Sequence, residues 1–213
     1  MKSSKKDTLK KFKKYRISAI IRTNHIQIAS DAMKAAVSGG FKIIEFTLNT
    51  PGSLELIRSF SLRHNDLLVG AGTVLTLKEL KNSIDAGAQF IVSPICDPEL
   101  IALANDMNVV CIPGTYTATE MEEAYRLGAD FVKLFPAPAN IEQYVKALLG
   151  PLPHLKIFPT AGVNLDNMLD ILRAGASGLG FTDSLFKGED LTNRNYNVIE
   201  LRAKKIINRL STL

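Results

Sequence analysis

Two residues of opposite charge stand inside segments that otherwise have the composition of buried strands. Lys133 lies within FVKLFP (131–136), and Glu45 lies within KIIEFTL (42–48). Removing an unpaired charge from water costs several kcal/mol or more, so each group must be paired, neutralised or turned outward. Burial lowers the pKa of an ammonium group, and a neutral lysine amine can attack a carbonyl carbon. The two residues therefore indicate amine chemistry on a carbonyl compound, with a carboxylate available to move protons.

Strand alternation decides whether these two side chains can meet. It places Glu45 and Thr47 on one face of their strand, and Phe131 and Lys133 on one face of another. If both faces point into a common interior, the carboxylate and the amine can approach each other across it. A buried ion pair that serves only packing is the alternative. We favour a functional pair, because perturbed titrating groups concentrate in active sites.

Composition predicts one α/β domain. The chain has 213 residues, of which 46% are hydrophobic and 22% charged, enough for a single well-filled core. No apolar stretch approaches the roughly 18 residues that cross a bilayer, and no secretory signal follows the first lysines, so we expect a cytoplasmic protein without a membrane partner. Cys96 and Cys111 are interpreted as buried thiols. The three histidines, His25, His64 and His154, are too scattered to indicate a metal site.

Positive charge is concentrated at the N-terminus. Residues 1–16 hold eight Lys and Arg and one acid, a net charge of about +7, so the rest of the chain carries about −2. We therefore predict a basic N-terminal extension, residues 1–15, and a body over residues 16–213. The extension could dock on nucleic acid or on an anionic surface. We favour a partly helical segment with Phe12 and Tyr15 against the body, and do not expect a nucleic-acid partner.

Short apolar runs alternate with amphipathic stretches of helical length. Strands are predicted over 17–22, 42–48, 67–73, 90–94, 109–115, 131–137, 156–162 and 178–182. Helices are predicted over 27–38, 75–86, 98–107, 119–127 and 166–173, with a final one after residue 193. Near-continuous apolar strands joined by helices predict a parallel sheet covered on its outer face.

Eight such units in this length fit a compact (β/α)₈ TIM barrel. A weak internal repeat, in which a helix stop precedes a strand, supports that count at SGGF (38–41), AGAQF (86–90), LGADF (127–131) and AGAS (174–177). An open doubly wound sheet is the second choice. It is disfavoured because no Gly-x-Gly-x-x-Gly turn follows the first strand.

Polar residues gather at the carboxyl ends of the predicted strands, where the chemistry of a barrel lies. They are Arg22, Glu45, Thr47, Asn49, Thr73, Pro94, Thr115, Lys133, Thr160, Thr182, Asp183 and Ser184. Glycine-rich segments, VGAGT (69–73) and FPTAG (158–162), end the third and seventh strands. Small residues there could admit a phosphate close to the backbone, or they could be ordinary turn residues.

The sequence resembles the class I aldolases that cleave 2-keto-3-deoxy-6-phosphogluconate and 4-hydroxy-2-oxoglutarate. The resemblance runs in one register over about residues 16–186. Its motifs are SGG (38–40), IEFTL (44–48), VGAGTVL (69–75), AGAQF (86–90), SP (93–94), IPG (112–114), VKLFPA (132–137) and PTAGV (159–163). Each motif alone is common, but the set is specific.

The resemblance implies a (β/α)₈ barrel, a homotrimer, a keto-acid substrate, a place in carbohydrate metabolism, and no metal or other cofactor. It implies that Lys133 is the Schiff-base residue and that Glu45 is the proton shuttle. Pocket residues around the keto acid are implied at Thr73, Pro94 and Thr160, with an arginine at Arg22. The products are then pyruvate and an aldehyde.

Two positions depart from the pattern of the family. Asn49 stands where well-studied members carry an arginine that grips the substrate carboxylate, and Arg22 is the candidate to replace it as a substrate-binding cation. The phosphate cradle of the family falls on Ala161, Gly162 and Ser184, but Asp183 precedes that serine. A carboxylate there should repel a phosphate, which speaks against efficient use of a 6-phosphate sugar acid.

Two other functions fit parts of the sequence. A Schiff-base lysine could instead decarboxylate a β-keto acid such as oxaloacetate. A non-catalytic barrel whose basic tail binds an acidic partner is the alternative from a different class. Against it, a chain without catalysis has no use for a buried lysine and glutamate.

Overall fold

Parallel strands and helices alternate along the chain, and the computed structural model describes residues 4–64 and 66–213. The strands are β1 (Ile17–Ile21), β2 (Ile43–Thr47), β3 (Leu68–Gly72), β4 (Phe90–Val92), β5 (Val110–Ile112), β6 (Gly114–Thr115), β7 (Val132–Leu134), β8 (Ile157–Pro159) and β9 (Leu179–Phe181). Each of the eight predicted strand segments contains an observed strand, but every observed strand is shorter than its predicted segment. The predicted strand residues that follow the carboxyl ends of the observed strands lie in loops.

Helices follow most strands. They are α1 (Lys5–Tyr15), α2 (Ile26–Ser38), α3 (Ser53–Arg63), α4 (Leu77–Asp85), α5 (Pro98–Asp106), α6 (Ala118–Arg126), α7 (Ile141–Leu149), α8 (Met168–Arg173), α9 (Gly188–Thr192) and α10 (Tyr196–Leu210). Local signals set several starts. Thr76 with Glu79, and Thr117 with Glu120, form capping boxes at α4 and α6, which fixes where the chain leaves the preceding loop. No described helix is long and apolar enough to cross a bilayer.

The strands form a curled parallel sheet system. One sheet has the order β5-β4-β3-β2-β1-β9 and the other β6-β7-β8, with every pair parallel. Pro113 alone separates β5 from β6, because proline has no N–H to donate to the ladder. Its carbonyl still accepts a hydrogen bond from Lys133 N at 2.8 Å. A parallel bridge between Thr160 and Gly180 links the second sheet to β9.

Apolar side chains lie on both faces of the sheets. A large cluster packs the outer face against the helices and includes Ile44 and Phe46 of β2. A smaller cluster gathers Phe12 of α1 with inner-face residues of both sheets and of the segment that enters β7, namely Ile43, Leu68, Phe90, Val92, Val110, Ile112, Phe131 and Phe158. Since residues from both sheets meet there, the sheets face one interior. Alternation along β2 and β7 therefore directs Glu45 and Lys133 into that interior, as predicted.

Helix α1 closes the interior at the amino ends of the strands. Phe12 is 2% exposed, and its ring lies 5.0 Å from Phe90, 5.1 Å from Phe131 and 6.0 Å from Phe158, between ring centroids. Lys5 forms an ion pair with Asp130 at 2.9 Å. From Ser4 onward, the residues predicted as a basic extension thus form a helix packed into the fold. Residues 1–3 lie outside the described part.

Replacing Phe12 by Ala should destabilise the protein by about 3–5 kcal/mol, because it leaves a cavity among three aromatic rings. Urea unfolding followed by circular dichroism measures the change. Leu62→Ala is the control, since Leu62 is 76% exposed and should stay within about 0.5 kcal/mol of the parent. Equal small effects at both sites would contradict the packing role assigned to α1.

Candidate active site

A cavity of about 240 Å³ opens at the carboxyl ends of the strands. Its lining comes from the ends of β1, β2, β3, β7, β8 and β9 and from the loops that follow them. The lining residues are Ile20, Arg22, Glu45, Thr47, Thr73, Lys133, Phe135, Thr160, Ala161, Thr182, Asp183 and Phe186. We call this the carboxyl-end cavity. It combines an apolar wall, several hydroxyl groups and both signs of charge, as small-molecule sites do.

Lys133 and Glu45 form the floor of the carboxyl-end cavity. They are 6% and 2% exposed. Glu45 Oε1 is buried and has no hydrogen-bond partner among the described residues, and no direct ion pair joins the two side chains in that part of the structure. Gly72 on β3 makes room for the carboxylate, because a Cβ there would lie 1.9 Å from Glu45 Oε1. The carboxylate and the amine therefore share one enclosure without neutralising each other by contact.

Burial perturbs the protonation of both groups. It raises the pKa of the Glu45 carboxyl, and the positive charges of Lys133 and Arg22 oppose that rise. It lowers the pKa of Lys133, an effect that Glu45 opposes and Arg22 reinforces. The amine lies 4.6 Å from the centroid of the Phe135 ring, which favours its charged form modestly. Desolvation dominates, so the neutral amine is more accessible than in an ordinary lysine.

Threonines around the cavity are held in place by the backbone. Thr47 Oγ1 donates to the carbonyl of Ile21 at 3.1 Å and contacts Thr50 Oγ1 at 3.2 Å. Thr115 Oγ1 donates to the carbonyl of Lys133 at 3.1 Å, which ties β6 to the strand that carries the amine. These bonds fix the ends of β2 and β7, and with them the directions of Glu45 and Lys133.

Two lining residues adopt the left-handed backbone region that favours glycine. Thr73 has φ of 58° and Ala161 has φ of 70°. A β-branched threonine in this region is an outlier, and such strain persists only where the surroundings impose it. The loops after β3 and β8 therefore hold Thr73 and Ala161 at the cavity at a conformational cost, which is typical of a functional site.

The structure brings together most, but not all, of the residues proposed from the sequence. Those that line the carboxyl-end cavity are Arg22, Glu45, Thr73, Lys133, Thr160 and Ala161. Those outside its lining are Asn49, Pro94, Gly162 and Ser184. Asn49 is exposed in the turn after β2, and Pro94 lies in the loop after β4. Ser184 Oγ is buried and has no hydrogen-bond partner among the described residues, while the neighbouring Asp183 does line the cavity.

Three apolar lining residues, Ile20, Phe135 and Phe186, were not proposed from the sequence as site residues. The position of Phe135 was recoverable, because it alternates onto the same face as Lys133. Ile20 is an apolar residue within a strand, and its sequence context does not distinguish it from a core residue. Phe186 lies in a loop and carried no local signal, since only the path of the chain after β9 brings it to the cavity.

A second, smaller cavity of about 10 Å³ lies on the opposite side of Lys133 and Glu45. Phe12, Phe90 and Phe158 line it from the amino-end side. The volume is about that of one water molecule. The two titrating groups therefore separate the carboxyl-end cavity from the aromatic cluster beneath it.

Comparison with known proteins gives one consistent family. The model of the family described as "KDPG and KHG aldolase" matches residues 9–201. A 2-dehydro-3-deoxy-phosphogluconate aldolase of Pseudomonas aeruginosa is 40% identical over 139 residues, 65% of this chain and 63% of that protein. One of Treponema pallidum is 32% identical over 82% of this chain and 86% of its own length.

A solved structure shares the fold. It is a KDPG aldolase from Legionella pneumophila with pyruvate captured as a covalent carbinolamine intermediate. The TM-score is 0.81 at 26% sequence identity, and the match covers 92% of this chain and 95% of that one.

Removing the charge of Glu45 should shift the pKa of Lys133 in one direction, and removing the charge of Arg22 should shift it in the other. Glu45→Gln removes a negative charge and should lower the pKa of Lys133 further, whereas Arg22→Gln removes a positive charge and should raise it. An NMR titration with isotope-labelled lysine measures both, with the Lys133 signal assigned through Lys133→Met. The exposed Lys78→Gln serves as the control and should leave that pKa unchanged. Shifts of the same sign in both variants would refute this electrostatic arrangement.

Proposed function

This chain belongs to the KDPG and KHG aldolase family and is a class I aldolase, and we propose that it acts through an imine formed on Lys133. The substrate is a 2-keto-3-deoxy sugar acid or 4-hydroxy-2-oxoglutarate, and the products are pyruvate and an aldehyde. One observation carries the proposal above all. The Lys133 amine is buried in a cavity beside a carboxylate and has no ion pair with it in the described structure.

The first half of the reaction is the activation of the keto acid. Neutral Lys133 attacks the C2 carbonyl, and the resulting carbinolamine loses water to give a protonated imine. The lowered pKa of Lys133 supports this step, because only the neutral amine is a nucleophile. The imine nitrogen then accepts the electron pair of the C3–C4 bond when that bond breaks.

Glu45 moves the protons of the second half. Its carboxylate removes the proton of the C4 hydroxyl group while the C3–C4 bond breaks, and the aldehyde leaves. The enamine then takes a proton at C3, and water hydrolyses the imine to release pyruvate and the neutral amine. The raised pKa of Glu45 supports the proton-accepting role, because burial makes its carboxylate a stronger base than that of an exposed glutamate.

Charged groups at the mouth of the cavity select the two ends of the substrate. Arg22 is the lining cation that can pair with the substrate carboxylate, while Thr73 and Thr160 offer hydroxyl groups. Asp183 is exposed at the cavity and disfavours a phosphate at the far end by like-charge repulsion. Asn49 and Pro94 stay part of the proposed substrate site only if a bound substrate extends beyond this lining.

The proposal includes a closed (β/α)₈ barrel and a homotrimer. The order of the two sheets, with the bridge from Thr160 to Gly180, supports closure. Large apolar side chains are exposed in the loops after β3, β4 and β6, at Leu75, Ile95 and Tyr116, and support a contact between subunits on this rim.

Borohydride reduction in the presence of pyruvate tests the proposed imine. The protein should gain one reduced pyruvate unit, located on Lys133 by peptide mapping, and Lys133→Met should gain none and lose retro-aldol activity. Glu45→Gln should still be trapped but should cleave substrate about a hundredfold to ten-thousandfold more slowly, because it has lost general acid–base catalysis. The exposed Lys78→Met is the matched control and should behave as the parent.

An adduct on another lysine, or cleavage that survives in Lys133→Met, would refute the assignment. Product analysis separates the aldolase from a decarboxylase of the same chemistry. Release of carbon dioxide from a β-keto acid, without aldehyde formation from any hydroxy keto acid, would contradict the proposed reaction.

Removing the charge of Asp183 should change substrate preference. Asp183→Asn should raise kcat/KM about tenfold for a phosphorylated 2-keto-3-deoxy acid, equivalent to about 1.4 kcal/mol of repulsion, and should leave the unphosphorylated acid unaffected. Steady-state kinetics with both substrates measures the ratio. Asp85→Asn, at an exposed site on α4, is the control. An equal gain for both substrates would show that Asp183 does not act through the charge of the phosphate.

A further inference from the structure

A second large cavity, outside the active site, lies at the opposite end of the fold. It has a volume of about 790 Å³ and is formed by α1, by the residue that follows it, and by the segments that enter β7, β8 and β9. Its lining residues are Lys6, Leu9, Lys10, Lys13, Arg16, Phe131, Lys156, Gly175, Ala176 and Ser177. We call this the basic cavity. Since it opens at the amino ends of the strands, it cannot belong to the carboxyl-end cavity.

Five cations line the basic cavity, and no carboxylate does among the described residues. Lys6, Lys10 and Lys13 lie on one face of α1, because they are spaced by three or four residues. Lys10 has an exposed ion pair with Asp7 at 3.3 Å, but the described structure gives Lys6, Lys13 and Lys156 no acidic partner. The positive charges in such a group repel one another. They create a positive electrostatic potential that attracts anions.

The backbone conformation of Arg16 and a hydrogen bond from its side chain fix its position at the basic cavity. Arg16 adopts φ of 60° just after α1, at a helix end where glycine avoids the steric cost. Its guanidinium group donates to the carbonyl of Ala176 at 3.1 Å, which holds it against the wall of the basic cavity. The remaining N–H groups keep the planar fork that suits phosphate oxygens.

The volume and the lining of the basic cavity restrict the class of ligand that it can bind. The volume falls in the range of small-molecule sites, roughly 300–1,000 Å³, whereas a nucleic acid uses an extended basic stripe. The outermost cations on α1, Lys6 and Lys13, are seven positions apart, or about 10 Å along the helix, which is comparable to a short phosphate chain. Leu9 is partly exposed at the basic cavity, and the largely buried Phe131 and Ala176 lie beneath it, so the cavity also has apolar surface that inorganic phosphate would leave unused.

We propose that the basic cavity binds a small organic polyanion, a nucleoside di- or triphosphate, with its phosphates on the α1 lysines, Arg16 and Lys156. The apolar surface takes the base. This site is independent of the aldolase chemistry, because it lies at the other end of the fold and shares no lining residue with the carboxyl-end cavity.

Isothermal titration of the full-length protein with ATP, in parallel with inorganic tripolyphosphate, tests the proposal. ATP should bind more tightly than tripolyphosphate, and its affinity should fall as salt is added. Lys13→Glu/Lys156→Glu should weaken ATP binding by about tenfold or more, since two charge-assisted contacts become repulsive. The control, Lys78→Glu/Lys205→Glu, makes the same change in net charge at exposed positions on α4 and α10 and should bind as the parent does.

Circular dichroism and aldolase activity establish that both double variants fold, and Lys13→Gln/Lys156→Gln gives a milder loss in the same direction. Equal weakening in the control would overturn the site. Equal affinity for ATP and tripolyphosphate would overturn the organic ligand class, as would tighter binding of a single-stranded RNA that ATP fails to displace. No binding of ATP at low salt would overturn the proposal outright.

Discussion

The structure depends on keeping two opposite charges buried in one interior without letting them form an ion pair. Direct contact between Lys133 and Glu45 would fix both in their charged forms and leave no free amine. Separation in a desolvated enclosure instead lowers the pKa of one and raises that of the other. Burial of this kind costs stability, so the surrounding apolar packing must offset it.

The fold meets that constraint from two sides. Inner-face aromatic rings and α1, through Phe12, close the amino end beneath the floor. At the other end, short strands give way to loops that carry Thr73 and Ala161 in strained conformations around the carboxyl-end cavity. Gly72 supplies the space that the Glu45 carboxylate occupies. Apolar packing lies on the amino-end side of Lys133 and Glu45, and the loops surround them at the carboxyl end. A substrate can therefore reach the two groups from the carboxyl-end cavity.

Sequence patterns predicted the parts of this arrangement that follow from local rules. Alternation in two strands placed Glu45 and Lys133 on inner faces, and the helix–strand rhythm predicted the parallel α/β architecture. The helices α3, α7 and α9 were not among those specified, and α1 was expected only in part. The lining by Phe186, and the absence of Asn49 and Pro94 from it, depend on how separate loops fold over one another. No periodicity along the chain encodes such contacts.

A crystal structure of the protein soaked with pyruvate would show directly whether Lys133 forms a covalent bond with the keto acid. We expect continuous electron density from Lys133 Nζ to C2 of pyruvate in the carboxyl-end cavity. We also expect the Glu45 carboxylate to face the carbon atom that is newly bonded to Lys133. Pyruvate held in the cavity without a bond to Lys133, or bonded to a different lysine, would contradict the proposed role of Lys133.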